Sequence, residues 1–461
     1  MPKRMHLNAF SHHAASSQSF GQWKDPANTM ARGYLDPDYW VKLAQTCERG
    51  RFDAMFFADA PGAKDVHGGD HRMTAKSGMQ FPGNDPTFLP PVLARETEHL
   101  GFIVTFATSY FQPFHTARVF TTLDHMTGGR IGWNIVTGYM EAALKNGMGE
   151  EMPHDERYER AEEYMEVVYK LWERSWTDDA IVLDAAMSTY ADPDKGRRID
   201  HQGQYFSVAG PHHSEPSPQR TPLLAQAGGS PRGSAFAATH AELVFMIATS
   251  IADAKSATAR LREAAARAGR DAKAIKTMPE ISWVVAETEQ KARAKFEHYL
   301  ETADVEGALA LLGGHTGTDF TGFDPATPLK GQTSKGITTV AKIFDGIEGS
   351  QGWNFGDLCD YLKLGYTSPT FVGTPERIAD TLEAWMDGAD IDGFILAPIQ
   401  APGDIEDFVD MVVPELQRRG RVPKEYAGKT LRETVLGHPR LAPDHPGHRY
   451  RPAVTEAAAA E

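Results

Sequence analysis

The sequence predicts an α/β fold: a (β/α)8 TIM barrel with long insertions at its carboxyl-terminal face. Three observations carry that reading. Eight short runs are almost continuously apolar, as strands buried on both faces require. They alternate with helix-patterned segments long enough to serve as crossovers, which makes neighbouring strands parallel. Polar residues gather just beyond the ends of the runs, where a barrel carries its chemistry.

In chain order, the first run, Met5 to Phe10, leads into Ser11-His12-His13. Asp36-Pro37 then opens a helix with Tyr39, Trp40, Leu43 and Cys47 on one face, and Gly50 stops it. The second strand, Phe52 to Ala58, ends in Asp59, and the Gly-, Pro-, His- and Asp-rich stretch Ala60 to Pro86 reads as a site-shaping insertion. A helix over Thr87 to Leu100 precedes the third strand, Phe102 to Ala107, and another over Thr116 to Met126 precedes the fourth, Ile131 to Val136. The helix beginning near Asp155 buries Tyr158, Ala161, Met165, Val168 and Trp172 and keeps Glu159, Arg160, Glu163 and Glu166 in water. Strands five to eight are Leu223 to Ala227, Glu242 to Ala248, Thr277 to Ala286 and Gly393 to Ala397, with a helix over Ala252 to Ala268. Gly313 to Pro369 is too long for a plain barrel loop and reads as a lid or substrate-facing insertion. The expected organisation is therefore one domain over 1–420 with insertions about 60–86 and 313–369, then a tail over 421–461 that wraps the surface or a neighbouring subunit.

Composition excludes some functions. With 47 basic against 62 acidic residues the net charge is −15, which argues against nucleic acid or an anionic membrane as partner. Cys47 and Cys359 form no metal or disulfide pattern, the first twenty residues hold no signal-peptide core, and no apolar run reaches about 18 residues, so a soluble cytoplasmic protein is expected.

Several residues are placed for chemistry. Gly228-Gly229-Ser230-Pro231 follows a strand and opens a helix, with Ser230 suited to the N-cap, so its free amides can hold a phosphate; an ordinary capped turn is the alternative. Asp59 is a carboxylate at a barrel strand's end, and Asn134 is a polar residue inside a buried strand. Thr108 ends strand three, and Thr137 and Gly138 follow strand four. His13 and His315 come from segments aimed at the barrel mouth and are the candidate catalytic histidines. His67, Asp70 and His71 lack the spacing of a zinc site, so no metal is expected.

The segments Gly-Arg-Ile-Gly-Trp-Asn-Ile-Val-Thr, 129–137, and His-Asp-Glu-Arg-Tyr-Glu-Arg-Ala-Glu-Glu-Tyr, 154–164, resemble the bacterial-luciferase-like flavin monooxygenases. The branch is that of the nitrilotriacetate, EDTA and dibenzothiophene-sulfone enzymes, and the likeness runs from Asn8 to about Arg421. The resemblance implies FMN in its reduced form, FMNH2, bound by Gly229, Ser230 and Tyr158 at the phosphate, and by Asp59, Thr108, Asn134 and Thr137 at the ring. Arg157 stays open between the phosphate and a solvated helical turn. It also implies a flavin C4a-hydroperoxide that transfers one oxygen atom from O2 to a small organic substrate, FMNH2 supplied by a separate NAD(P)H:flavin reductase, and a homodimer or homotetramer. The absence of a Gly-x-Gly-x-x-Gly fingerprint after any strand agrees with a separate reductase. Phe102, Phe106, Tyr110, Phe111 and Phe114, with Trp23 and Phe81, lean toward an apolar or aromatic substrate. Two other readings are a flavin-binding protein without turnover and a barrel glycosidase using Asp59 and Glu280.

Overall fold

The computed structural model describes residues 2–138, 140–330, 344, 347 and 350–452. Eight parallel strands form a closed ring: β1 His6–His12, β2 Ala54–Ala58, β3 Gly101–Ala107, β4 Ile131–Val136, β5 Leu223–Ala227, β6 Leu243–Met246, β7 Lys276–Val285 and β8 Gly393–Leu396. Each pairs with the next, and β8 closes on β1 in the register His6 to Gly393 through Ala9 to Leu396. All eight coincide with the apolar runs, because strands covered by helices outside and side chains inside leave no polar face to interrupt them. Only the first part of the ten-residue β7 belongs to the ring; its far end pairs with a short outer strand, Thr370–Gly373.

Phe10, Phe56, Ile103, Ala225, Met278 and Ile395 fill the barrel, together with Leu431 and Val435 from the helix Leu431–Leu436. The chain beyond residue 421, expected to wrap a surface, therefore supplies the plug beneath the barrel. Arg432 on that helix is wholly buried. Its Nε meets Glu242 Oε1 at 2.8 Å and its Nη2 meets Oε2 at 3.0 Å, while Nη2 also donates to the carbonyls of Thr221 and Pro222.

The helix expected over 87–100 is a turn at Pro86–Phe88 followed by Leu89–Arg95. It stops early because Glu48 Oε1 accepts the amides of Glu98, His99 and Leu100, at 2.9, 2.6 and 3.0 Å, drawing the chain off the helical path. The helix His154–Tyr169 buries the expected face, but two of its expected solvated residues are engaged. Glu163 accepts from the amides of Tyr205 and Phe206 and pairs with His201, fixing a small hairpin over 201–208, and Arg160 lies 4.7 Å over the Phe206 ring.

Above the strand ends, the first insertion carries the helix Arg72–Ser77, which packs against the helix Val305–Thr316. The helix Phe355–Leu362 joins them around an apolar core of Phe20, Met79, Leu312, Phe320 and Leu358. This is the roof of the barrel mouth. Of the expected insertion from Gly313 to Pro369, the stretch 331–343 and residues 345, 346, 348 and 349 lie outside the described residues, as does the chain end 453–461. Among the described residues no helix is long and apolar enough to cross a membrane, and no group of metal ligands assembles.

Candidate active site

Roof and strand ends enclose a cavity of about 540 Å³, and its floor is set by the ends of the strands. On β4, Asn134 donates through Nδ2 to Thr105 Oγ1 at 2.8 Å, and Thr105 in turn donates to the Phe57 carbonyl at 2.9 Å. That chain fixes which way the Asn134 amide points, because the Thr105 proton is already committed. Asn134 Oδ1, buried and without a partner among the described residues, is left for a guest in the cavity. His12, at the end of β1, likewise has a buried, unpartnered Nδ1.

The charged groups are held close to neutrality. Burial, then the nearby Asp85, pushes the Asp59 carboxyl up to about 7, against the pull of the Ala60 amide and Lys64. Glu280 on β7 is pushed up to about 7 by burial, against the hydrogen bond that Gln18 Nε2 donates to its Oε2 at 3.3 Å, and among the described residues its Oε1 has no partner. His12 is driven down to about 3 by burial and then by the charge of Lys64. His315 hangs from the roof helix with its ring open to the cavity and its Nδ1 2.9 Å from Tyr366 Oη. Although its surface is open to the cavity, crowding by the surrounding protein and then the charge of Lys64 lower the His315 imidazole as well. Both imidazoles are neutral at pH 7.

His13 lines the cavity but is tied down, its ring nitrogens 3.2 Å from the Asp85 carbonyl and 3.1 Å from that of Tyr34. Thr108 lies outside the lining: its hydroxyl faces the Val136 carbonyl at 3.5 Å, and its own carbonyl accepts from Arg160 at 2.6 Å. Thr137 uses its carbonyl to receive the Ser109 hydroxyl. These two threonines tie β3 to β4 at the rim.

A second cluster lies at the start of the helix Pro231–His240. Ser230 Oγ accepts from Gly233 N at 3.0 Å, capping the helix, so the first-turn amides point outward with the positive end of the helix dipole. A side-chain carbon at Gly229 would meet nothing within 4 Å, so the space above is open. The Tyr158 hydroxyl sits at this first turn, where a side-chain carbon on Gly233 would come within 2.7 Å of it. Arg157, half-buried, donates to the Met152 carbonyl at 3.1 Å.

The structure thus gathers His13, Asp59, Asn134 and His315 around one cavity and Tyr158, Gly229 and Ser230 around a helix start. Sequence reasoning missed His12, Lys64 and Thr105 as site residues. Lys64 stands only six residues past the end of β2, a position that faces a barrel's mouth, and that spacing was the available signal.

Two predictions arise here. Gly138 has φ of +66° and a side-chain carbon there would approach Tyr110 Cζ to 2.8 Å, so only glycine fits both constraints. Gly138→Ala is expected to cost about 1–3 kcal/mol, read as a lower urea midpoint at unchanged m-value. The second concerns Glu280. Its folded-state carboxyl binds protons more tightly than in the unfolded chain, so its contribution to stability is lost as pH rises between about 4.5 and about 7. Glu280→Gln should flatten that fall in a pH series of denaturation midpoints; an unchanged slope would mean that the carboxyl is already ionised in the native protein.

Comparison with known proteins defines the class. The chain belongs to the luciferase-like monooxygenase family, whose model matches residues 12–392. It is 43% identical to dimethyl-sulfide monooxygenase of Hyphomicrobium sulfonivorans, covering 98% of this chain and 95% of that one. It is 40% identical to long-chain alkane monooxygenase of Geobacillus thermodenitrificans strain NG80-2, covering 98% and 99%. The crystal structure of riboflavin lyase RcaE with modified FMN and riboflavin superposes with a TM-score of 0.89 at 36% identity, over 98% of this chain and 100% of that one. The protein is an enzyme, an oxidoreductase of the monooxygenase class.

Proposed function

We propose that this chain is the oxygenating component of a two-component system, taking FMNH2 from a separate NAD(P)H:flavin reductase and placing one atom of O2 into a small organic substrate. The observation that carries the reading is Asn134 Oδ1, buried, fixed in orientation and unpartnered at the cavity floor. A flavin ring presents N–H and carbonyl edges and asks for neutral hydrogen-bonding groups, which is what Asn134 and His12 offer. The open helix start beside Ser230 suits the phosphate. The residues present therefore fit FMN.

When bound, reduced FMN supplies the electrons that let O2 react. The chain's own part is positioning and exclusion. Asn134 and His12 hold the ring's polar edge, and the first-turn amides with Ser230 and Tyr158 hold the phosphate. Asp59 borders the ring, where a carboxyl near half-protonation can give or take a proton at neutral pH. His315 closes the cavity from the roof, and the roof keeps bulk water from the reacting centre. Thr108 and Thr137 act through the β3–β4 rim. Phe106, Phe111, Met79 and Met140 in the lining favour an apolar, uncharged substrate.

The test is anaerobic titration with FMNH2, oxidised FMN and a deazaflavin, followed by rapid mixing with O2 and measurement of oxygen uptake. Selective FMNH2 binding with uptake that speeds up in the presence of a small sulfide or alkane supports the reading. Flavin binding without oxygen uptake would favour a binder without turnover, and no flavin binding would sink the site assignment.

A further inference from the structure

Among the described residues Lys64 is a buried ammonium without an oxygen to bond. Only 6% of the residue is exposed, it lines the cavity, and the acceptor nearest its Nζ is the thioether of Met140 at 3.4 Å. Among the described residues no carboxylate lies within ion-pair distance of it, and burial brings its ammonium down to about 8, against a longer-range pull from Asp59. A thioether is a weak acceptor, and an ammonium so placed pays a desolvation cost that sulfur does not return. The backbone nevertheless holds Lys64 there deliberately. The Thr74 hydroxyl donates to its carbonyl at 2.6 Å, and the side-chain stem crosses the roof helix at Gly314, where a side-chain carbon would lie 2.3 Å from Lys64 Cδ. Of the other titratable groups facing it, His12 and His315 are neutral and Asp59, near half-protonation, supplies only part of a countercharge.

We propose that Lys64 is the anion grip of the cavity, completing its shell with the delocalised negative charge of the reduced flavin ring. The inference rests on the FMN reading above. Two electrons and one proton entering the neutral oxidised ring leave one net negative charge, spread over the ring's nitrogen and carbonyl oxygen. Lys64 forms no covalent bond in this scheme. Its ammonium favours the reduced anion over the oxidised ring, and so sets the affinity difference between the two redox states.

The experiment is the two-electron midpoint potential of FMN bound to the intact wild-type protein, Lys64→Met, Lys64→Arg and Gly314→Ala, with the dissociation constant of oxidised FMN for each. Lys64→Met removes a buried charge from an apolar setting, so it should fold. Oxidised FMN should bind it within about twofold of wild type, while reduced FMN weakens about tenfold, a fall of about 30 mV. Lys64→Arg should restore most of the potential, and Gly314→Ala, which keeps the charge but displaces the stem, should fall between. An unchanged potential in Lys64→Met with FMN bound overturns the proposal, and so does an equal weakening of oxidised and reduced FMN. Failure of the wild-type protein to bind FMN overturns the site reading and this assignment together.

Discussion

Gly229→Asp is expected to weaken FMNH2 binding at least about a hundredfold, because like charges set against one another cost several kcal/mol. The added side chain enters open space, so the fold should tolerate it. A carboxylate just before a helix start also favours the helix dipole, so the variant should unfold no more easily than wild type. Stability and cofactor affinity are therefore expected to part company. The control is riboflavin, which lacks the phosphate and should bind Gly229→Asp as it binds wild type. Equal weakening of both flavins would place the ring, not the phosphate, at the helix Pro231–His240. No weakening of either would remove the phosphate from this helix start.

The second large effect is expected far from the cavity. Arg432→Ala leaves Glu242 buried beneath the barrel with no cation, and breaking one side of such a pair costs about 3–5 kcal/mol. Glu242 also accepts from the Leu224 amide at 3.0 Å, so the disturbance should reach β5 and β6 together. Burial alone would push the Glu242 carboxyl up, yet Arg432 holds it below the usual range, which is a measure of how closely the two depend on each other. Replacing both, as Arg432→Met with Glu242→Leu, should recover much of the loss, because an apolar pair of similar bulk avoids burying charge at all. Denaturant midpoints of the two single variants and the double variant decide it. If Arg432→Ala unfolds like wild type, the chain beyond residue 421 is not the barrel's plug.

Much of the fold was legible because its cause is local. A strand buried on both faces must be apolar throughout, so all eight barrel strands showed themselves as runs, and Ser230 announced its helix by cap chemistry. Where a distant side chain intervened, local reading failed. The helix expected to reach Leu100 ends at Arg95 because Glu48, from another helix, takes its amides. Glu163 looked solvated because its partners, the amides of Tyr205 and Phe206, lie some forty residues on.

The candidate site divides along the same line. The sequence by itself determined the barrel, the capped loop at Gly228 to Pro231 and the polar positions at the strand ends, because each rests on residues within a few places of one another. Only the tertiary structure decided which of those residues share a cavity. Asn134 became a site residue through Thr105 on the next strand, and Thr108 was turned to the rim by the carbonyl of Val136. Lys64 met His12, Asp59 and His315 through the closure of the roof over the mouth. Leu431 and Arg432 were carried beneath the barrel from the far end of the chain. Burial then set their charges, since the protonation of Asp59 and Glu280 depends on how much water is excluded around them, and that is a property of the assembled fold.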